Sequence, residues 1–142
     1  MLPNVKKRLL VTSQETKKQS EKENKKMNKK EFDELKKMIL ENDGITLSSD
    51  GKIAHLKKGY MVSLEGYEKI YKDIKFIDLK VLKSYLRKAQ EKKAFVGFWL
   101  DSKKIYLDLS INVNEKEEAL EIARINHQLA IYDCANAKEI RL

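Results

Sequence analysis

Two short runs, AFVGFWL (residues 94–100) and KIYLDLS (residues 104–110), are separated only by Asp101-Ser102-Lys103. Both are rich in β-branched and aromatic residues, and so short a connection makes them an antiparallel hairpin. Side chains alternate between the two faces of a strand. In the first run Ala94, Val96, Phe98 and Leu100 point one way, and Phe95, Gly97 and Trp99 the other. In the second, Ile105, Leu107 and Leu109 share a face, while Tyr106 and Asp108 take the opposite one. One face is therefore aliphatic, and the other mixes aromatic and polar groups around a glycine gap. A glycine inside a strand marks a bulge or a close approach of another group to the backbone. The mixed face is expected either to pack on a helix or a second subunit, or to act as a ligand-stacking platform.

The rest of the chain supplies helices for the aliphatic face to pack on. NKKEFDELKKMILEN opens with Asn28 and Glu31 at capping-box spacing, then repeats Phe32, Leu35, Met38 and Ile39 on one helical face. Asp43-Gly44 ends it. ITLSSDGKIAHL carries Asp50-Gly51 between two alternating runs, which predicts a hairpin. GYMVSLEGYEKIY reads as one more extended stretch, bounded by Gly59 and Gly66. A second helix follows, capped by Asp78 and striped by Leu79, Leu82, Tyr85 and Leu86. Asn114 and Glu117 have capping spacing before a third helix, and LAIYD and EIRL supply the last strands. The fold class is α+β: a small, mostly antiparallel sheet with about three helices, in one domain.

At 142 residues the chain has room for one core. Its formal net charge of +8 invites a nucleic-acid reading, but the charge is unevenly placed. Residues 1–30 hold 10 Lys/Arg and 3 Glu, whereas residues 31–142 are close to balance, with 20 Lys/Arg and 19 Asp/Glu. The chain divides into a basic, flexible or helical tail (1–30) and an α+β ligand-binding domain (31–142). The tail is too polar to offset its own ordering entropy by burial. Near-neutrality of the domain counts against nucleic acid as a partner. No apolar run approaches a membrane span, the N-terminal residues make a poor secretion signal, and Cys134 is the only cysteine. The expected location is a reducing cytoplasm. With two histidines and one cysteine, a metal site is not expected, nor is a cofactor.

No catalytic constellation stands out. There is no glycine-rich phosphate loop and no G-x-S-x-G elbow. His127 and Cys134 are separated by a strand, and a buried thiol is the expected state of Cys134. The chain is therefore read as a binding protein and not an enzyme. One polar junction remains to be explained. In ALEIARINHQLAIYD, Arg124, Asn126, His127 and Gln128 lie between a helix and a strand that both lead into the core. They are either a pocket rim or a heavy helix C-cap, with Arg124 on the helix carbonyls and Asn126 in a left-handed conformation.

GYMVSLEGYE, FVGFWLDSKKIYLDLS, EALEIARINHQLAIYD and the terminal KEIRL, in that order and spacing, resemble the first family of Thoeris anti-defence proteins from phages. The resemblance spans roughly residues 28–142 and omits the tail. It implies a sponge that captures cyclic ADP-ribose isomers made by a bacterial TIR-domain immune enzyme, without degrading them. It also implies a homodimer or a dimer-based hexamer, a pocket at a subunit interface, and cyclic oligonucleotides as possible further ligands. Residues of the right chemistry are present. Phe98, Trp99 or Tyr106 offers a face to adenine, and since Phe98 and Trp99 point to opposite sides, only one of them stacks on a given base. Arg124 offers a forked donor to the pyrophosphate. Asn112, Asn126 and Gln128 suit base edges and ribose hydroxyls. Two rival readings are a phage inhibitor that binds a CRISPR nuclease, and a nucleic-acid-binding accessory protein that uses the aromatic strands for stacking.

Overall fold

The computed structural model describes residues 27–142. The expected tail lies, but for Met27 to Lys30, outside the described residues. The folded part begins slightly before the boundary that composition suggests. Met27 packs against the core, and Lys29 and Lys30 already belong to the first helix, α1 (Lys29–Glu41). Asn28 caps that helix as its spacing predicts, its Oδ1 accepting the amide of Glu31 at 2.9 Å.

Seven strands and two more helices follow: β1 (Gly44–Leu47), β2 (Tyr60–Ser63), β3 (Lys69–Tyr71), α2 (Leu79–Lys92), β4 (Phe95–Asp101), β5 (Lys104–Val113), α3 (Lys116–Ile125), β6 (Ala130–Asp133) and β7 (Lys138–Arg141). They form one sheet in the order β1-β4-β5-β2-β6-β7, with β3 also paired to β5, and every pairing is antiparallel. The α+β class and its three helices on a single antiparallel sheet are thus as the sequence predicts.

The hairpin of β4 and β5 is the sheet's spine. Its register pairs Val96 with Leu109, Gly97 with Asp108, Phe98 with Leu107 and Trp99 with Tyr106. Val96, Phe98, Ile105, Leu107 and Leu109 are all buried and share one core with Val62 of β2 and Ile131 of β6. That face carries the helices: α1 rests on β1 and β4, α2 on β4, and α3 on β2 and β6. Burying this apolar stripe is the main favourable term in folding. Among the described residues no helix covers the opposite face.

The hairpin turns through Ser102 and Lys103, both at positive φ (50° and 69°). Two such residues define the turn whose twist matches the flanking strands, and Gly is preferred at the second. Lys103→Gly relieves a left-handed lysine but gives the unfolded chain more freedom. The expected net effect is a gain of about 0.5–1 kcal/mol, read as a higher midpoint in urea melts.

Asp50-Gly51 turns the chain as expected, in a short hairpin joined by the Leu47–Ile53 bridge and by two backbone bonds across it, the Ser48 amide to the Lys52 carbonyl at 2.9 Å and the Ala54 amide to the Thr46 carbonyl at 2.8 Å. The Asp50 carboxylate also takes the Ser48 hydroxyl and the Lys52 amide, which reinforces the turn. Two local expectations need correction. GYMVSLEGYEKIY is two strands, not one. Both β2 and β3 lie along the same edge of β5, and residues 64–68 leave the sheet between them. Finally, Asn114 does not cap α3. The helix starts one residue later, after Glu115, with no side-chain cap bond. Glu117 and Glu118 in its first turn face the positive end of the helix dipole instead.

Candidate functional site

The uncovered sheet face holds a cavity of about 830 Å3. Trp99 forms one wall. It is 40 % exposed and stacks on Tyr106, with ring centroids 4.0 Å apart and planes 10° from parallel. This pairing follows from the register, which puts the two rings directly opposite each other. Such a stack stiffens the indole and leaves one of its faces free.

The floor is polar. Asp108 is only 7 % exposed, an unusual place for a carboxylate. Ser63 Oγ donates to its Oδ2 at 3.1 Å, and Ser110 Oγ lies 3.3 Å from Ser63 Oγ. Opposite stands Gly97, where a Cβ would come within 2.6 Å of Asp108 Oδ1. The glycine gap anticipated from sequence is therefore a notch for this carboxylate. Burial pushes the Asp108 carboxyl up to about 6; the Ser63 and Ser110 hydroxyls oppose that shift, and the charge of Glu68 adds to it.

The excursion between β2 and β3 builds the next wall. Leu64 still bonds the Leu109 carbonyl, and the chain then swings out so that Glu68 borders the cavity. Two anchors hold it. The Tyr85 hydroxyl of α2 donates to the Tyr67 carbonyl, and the Glu65 amide donates to Asn126 Oδ1 at 3.0 Å. Burial pushes the Tyr85 hydroxyl up to about 12, so it serves as a donor at any ordinary pH.

The second anchor answers the question posed by the polar junction. His127, not Asn126, is the left-handed residue (φ 54°). The His127 amide bonds the Arg124 carbonyl and the Gln128 amide bonds the Ala123 carbonyl, the two bonds of a Schellman stop. Asn126 Nδ2 donates to the Ile122 carbonyl at 2.9 Å, and Gln128 Nε2 to the Asn126 carbonyl at 3.0 Å. His127 Nδ1 lies 3.0 Å from Glu65 Oε1. The cluster is chiefly a helix cap that also clamps the β2–β3 excursion. The left-handed position falls on His127 because the chain must reverse one residue later than a cap at Asn126 would require.

The residues singled out from sequence therefore separate. Phe98, Trp99 and Gln128 border the cavity, and Tyr106 backs Trp99 without lining it. The Phe98 ring, 2 % exposed, is packed among core aliphatics, so Phe98 borders the cavity without presenting a free ring face to it. Asn112 is a tie: its Nδ2 donates to the Lys58 carbonyl at 3.0 Å and lies 3.8 Å from Cys134 Sγ. Asn126 is spent on the cap. Arg124 is exposed and is not part of the cavity wall. Its helical position turns it to the solvent side of α3, whose Ile122 and Ala123 take the core side. Asp108, Ser63, Ser110 and Glu68 join the site instead. Only Asp108 carried a hint, through its alternation with Tyr106.

The wall's charge is one-sided. Asp43, Glu68, Asp108 and Glu139 border the cavity together with His127, and none of its lining residues is Lys or Arg. Cys134 stands apart, and burial pushes its thiol up, the opposite of nucleophile activation. Among the described residues no group of His, Cys, Asp or Glu is placed to hold a metal ion, and no helix is long and apolar enough to cross a membrane. No family model, curated protein or solved structure matches the chain.

Proposed function

We propose that the chain is a capture protein for a cyclic ADP-ribose isomer, the anti-defence role implied by its resemblance to the Thoeris inhibitors. It acts in the cytoplasm of the bacterial host by holding the immune signal, not by breaking it. The observation that carries this reading is the open sheet face, where a rigid indole stands beside a hydrogen-bonding floor. Adenine stacks on Trp99, a contact worth about 1–3 kcal/mol for a nucleobase on an aromatic ring. Gln128 and the Ser63–Asp108–Ser110 floor meet polar groups of the ligand.

The pyrophosphate needs cations, and the cavity wall has none. The reading therefore requires a second subunit. Trp99, Ile70, Tyr132 and Leu129 are large apolar side chains left in water. A symmetric dimer covers such residues, closes the cavity and brings in basic groups from its partner. A dimer-based hexamer extends the same contact. Arg124, exposed and outside the cavity wall of its own chain, meets a ligand only across such a contact.

Calorimetric titration with a cyclic ADP-ribose isomer tests the reading. Trp99→Ala is expected to weaken binding by about tenfold to a hundredfold. Its melting temperature should change little, because the indole is not in the core. Absence of binding by the unsubstituted chain overturns the capture reading, and unchanged affinity in Trp99→Ala removes the sheet face as its seat.

A further inference from the structure

The floor of the cavity specifies more than a polar ligand. Asp108 Oδ1 is aimed at the notch above Gly97, and Trp99 stands two residues along the same face of β4. Two residues of a strand span about 6–7 Å, the scale on which a purine is separated from its own ribose hydroxyls. The carboxylate accepts hydrogen bonds and, when ionised, donates none. Ser63 already occupies Oδ2. What suits Oδ1 is a donor pair on a neutral group, and a phosphate is repelled by Asp43, Glu68, Asp108 and Glu139 together.

We propose that Asp108, backed by Ser63 and Ser110, takes the hydroxyls of the ligand's ribose, so that the cavity selects a ribonucleoside unit and directs its phosphates outward. This rests on the capture reading and deepens it: the nucleoside half is recognised by the single chain, and the phosphates are left to groups outside this wall. Gly97 is then a specificity device, since any side chain there would push the carboxylate out of line. The charged and titratable groups facing Asp108 are Glu68 from the excursion, Tyr85 from beneath, and Asp43, His127 and Glu139 around the cavity. Among these, His127 is held by Glu65.

Trp99 is the chain's only tryptophan, so its fluorescence reports on this wall directly. The full chain is titrated with adenosine, ADP-ribose, 2′,3′-dideoxyadenosine and a cyclic ADP-ribose isomer. Adenosine and ADP-ribose are expected to quench Trp99 with similar affinity, and dideoxyadenosine to bind at least tenfold more weakly. Below pH 6 the preference for adenosine narrows as Asp108 takes up a proton. In Asp108→Asn the preference for adenosine over dideoxyadenosine falls by at least threefold and no longer varies with pH. Ser110→Ala serves if Asp108→Asn does not fold, and is also expected to narrow the preference. Equal binding of adenosine and dideoxyadenosine, or a preference unchanged in the variants, overturns the ribose assignment. If the cyclic isomer still binds in that case, the capture reading survives. If neither the cyclic isomer nor any nucleoside quenches Trp99, both fall.

Discussion

Asp108→Asn is expected to make the chain more stable at pH 8, by about 1–3 kcal/mol, while it damages the cavity floor. The reason is the price of a buried charge. Burial raises the carboxyl from 3.8 to about 6 in the folded chain, and each pKa unit corresponds to about 1.4 kcal/mol. The folded state therefore holds this proton more tightly than the unfolded state does. The stabilisation from protonated Asp108 is complete below pH 3.8, fades as pH rises through 6, and is absent above it. Asn keeps the shape, still accepts from Ser63, and carries no charge to desolvate. Urea melts of both proteins at pH 4.5 and pH 8 check this. The advantage of Asp108→Asn should be small at the lower pH and full at the higher one, whatever other groups do to both proteins alike. A parent as stable as the variant at pH 8 would mean that the Ser63 and Ser110 hydroxyls fully compensate the carboxylate. A site that is less stable than its own isostere is what a binding role, not a packing role, would leave behind.

How much of this was legible in the sequence depends on how local each interaction is. The β4–β5 hairpin was, because alternation and a short turn fix both its register and its two faces. The caps at Asn28 and Asp78 were, because a cap bond spans three residues. Asp78 Oδ1 accepts the Val81 amide at 2.8 Å, as its spacing predicts. The Asp108 floor was not, because Ser63 is 45 positions away and reaches Asp108 only after β2 pairs with β5. The polar junction was legible in part: His127 and Gln128 border the cavity, as a rim would. Its tie to Glu65 was not, because Glu65 lies 61 and 62 positions before Asn126 and His127. The excursion that brings Glu65 there follows from the split of one extended run into β2 and β3. Nothing in the run itself reveals the split, since Gly66 at φ 90° marks a turn but not its extent.

Gly44→Ala is expected to cost the most of any single methyl group on the sheet, because space and backbone both exclude it. Gly44 sits at φ 138°, outside the range of L residues, where β1 pairs with Trp99. A Cβ there would meet the Phe98 carbonyl and lie 2.8 Å from Trp99 Cα. Both are backbone atoms of the sheet's spine, so no rotamer change makes room. Strain of about 1–3 kcal/mol adds to a clash of about 1–3 kcal/mol. Together these take a large part of the roughly 5–15 kcal/mol that holds a domain together. Gly66→Ala separates the two contributions: Gly66 is also at positive φ, but nothing lies within 4 Å of its missing Cβ. It should therefore show the strain alone, a loss of about 1–3 kcal/mol. The expected order of melting midpoints is parent, Gly66→Ala, then Gly44→Ala well below. Hydrogen exchange should locate the damage, with amide protection lost first at Ile45, Thr46 and their β4 partners. The cavity should suffer with the fold, because Asp43 and Thr46 border it beside Trp99. If Gly44→Ala melts with Gly66→Ala, the β1 edge has moved aside to admit the methyl group, and β1 is then a movable flap on the cavity instead of a fixed strand.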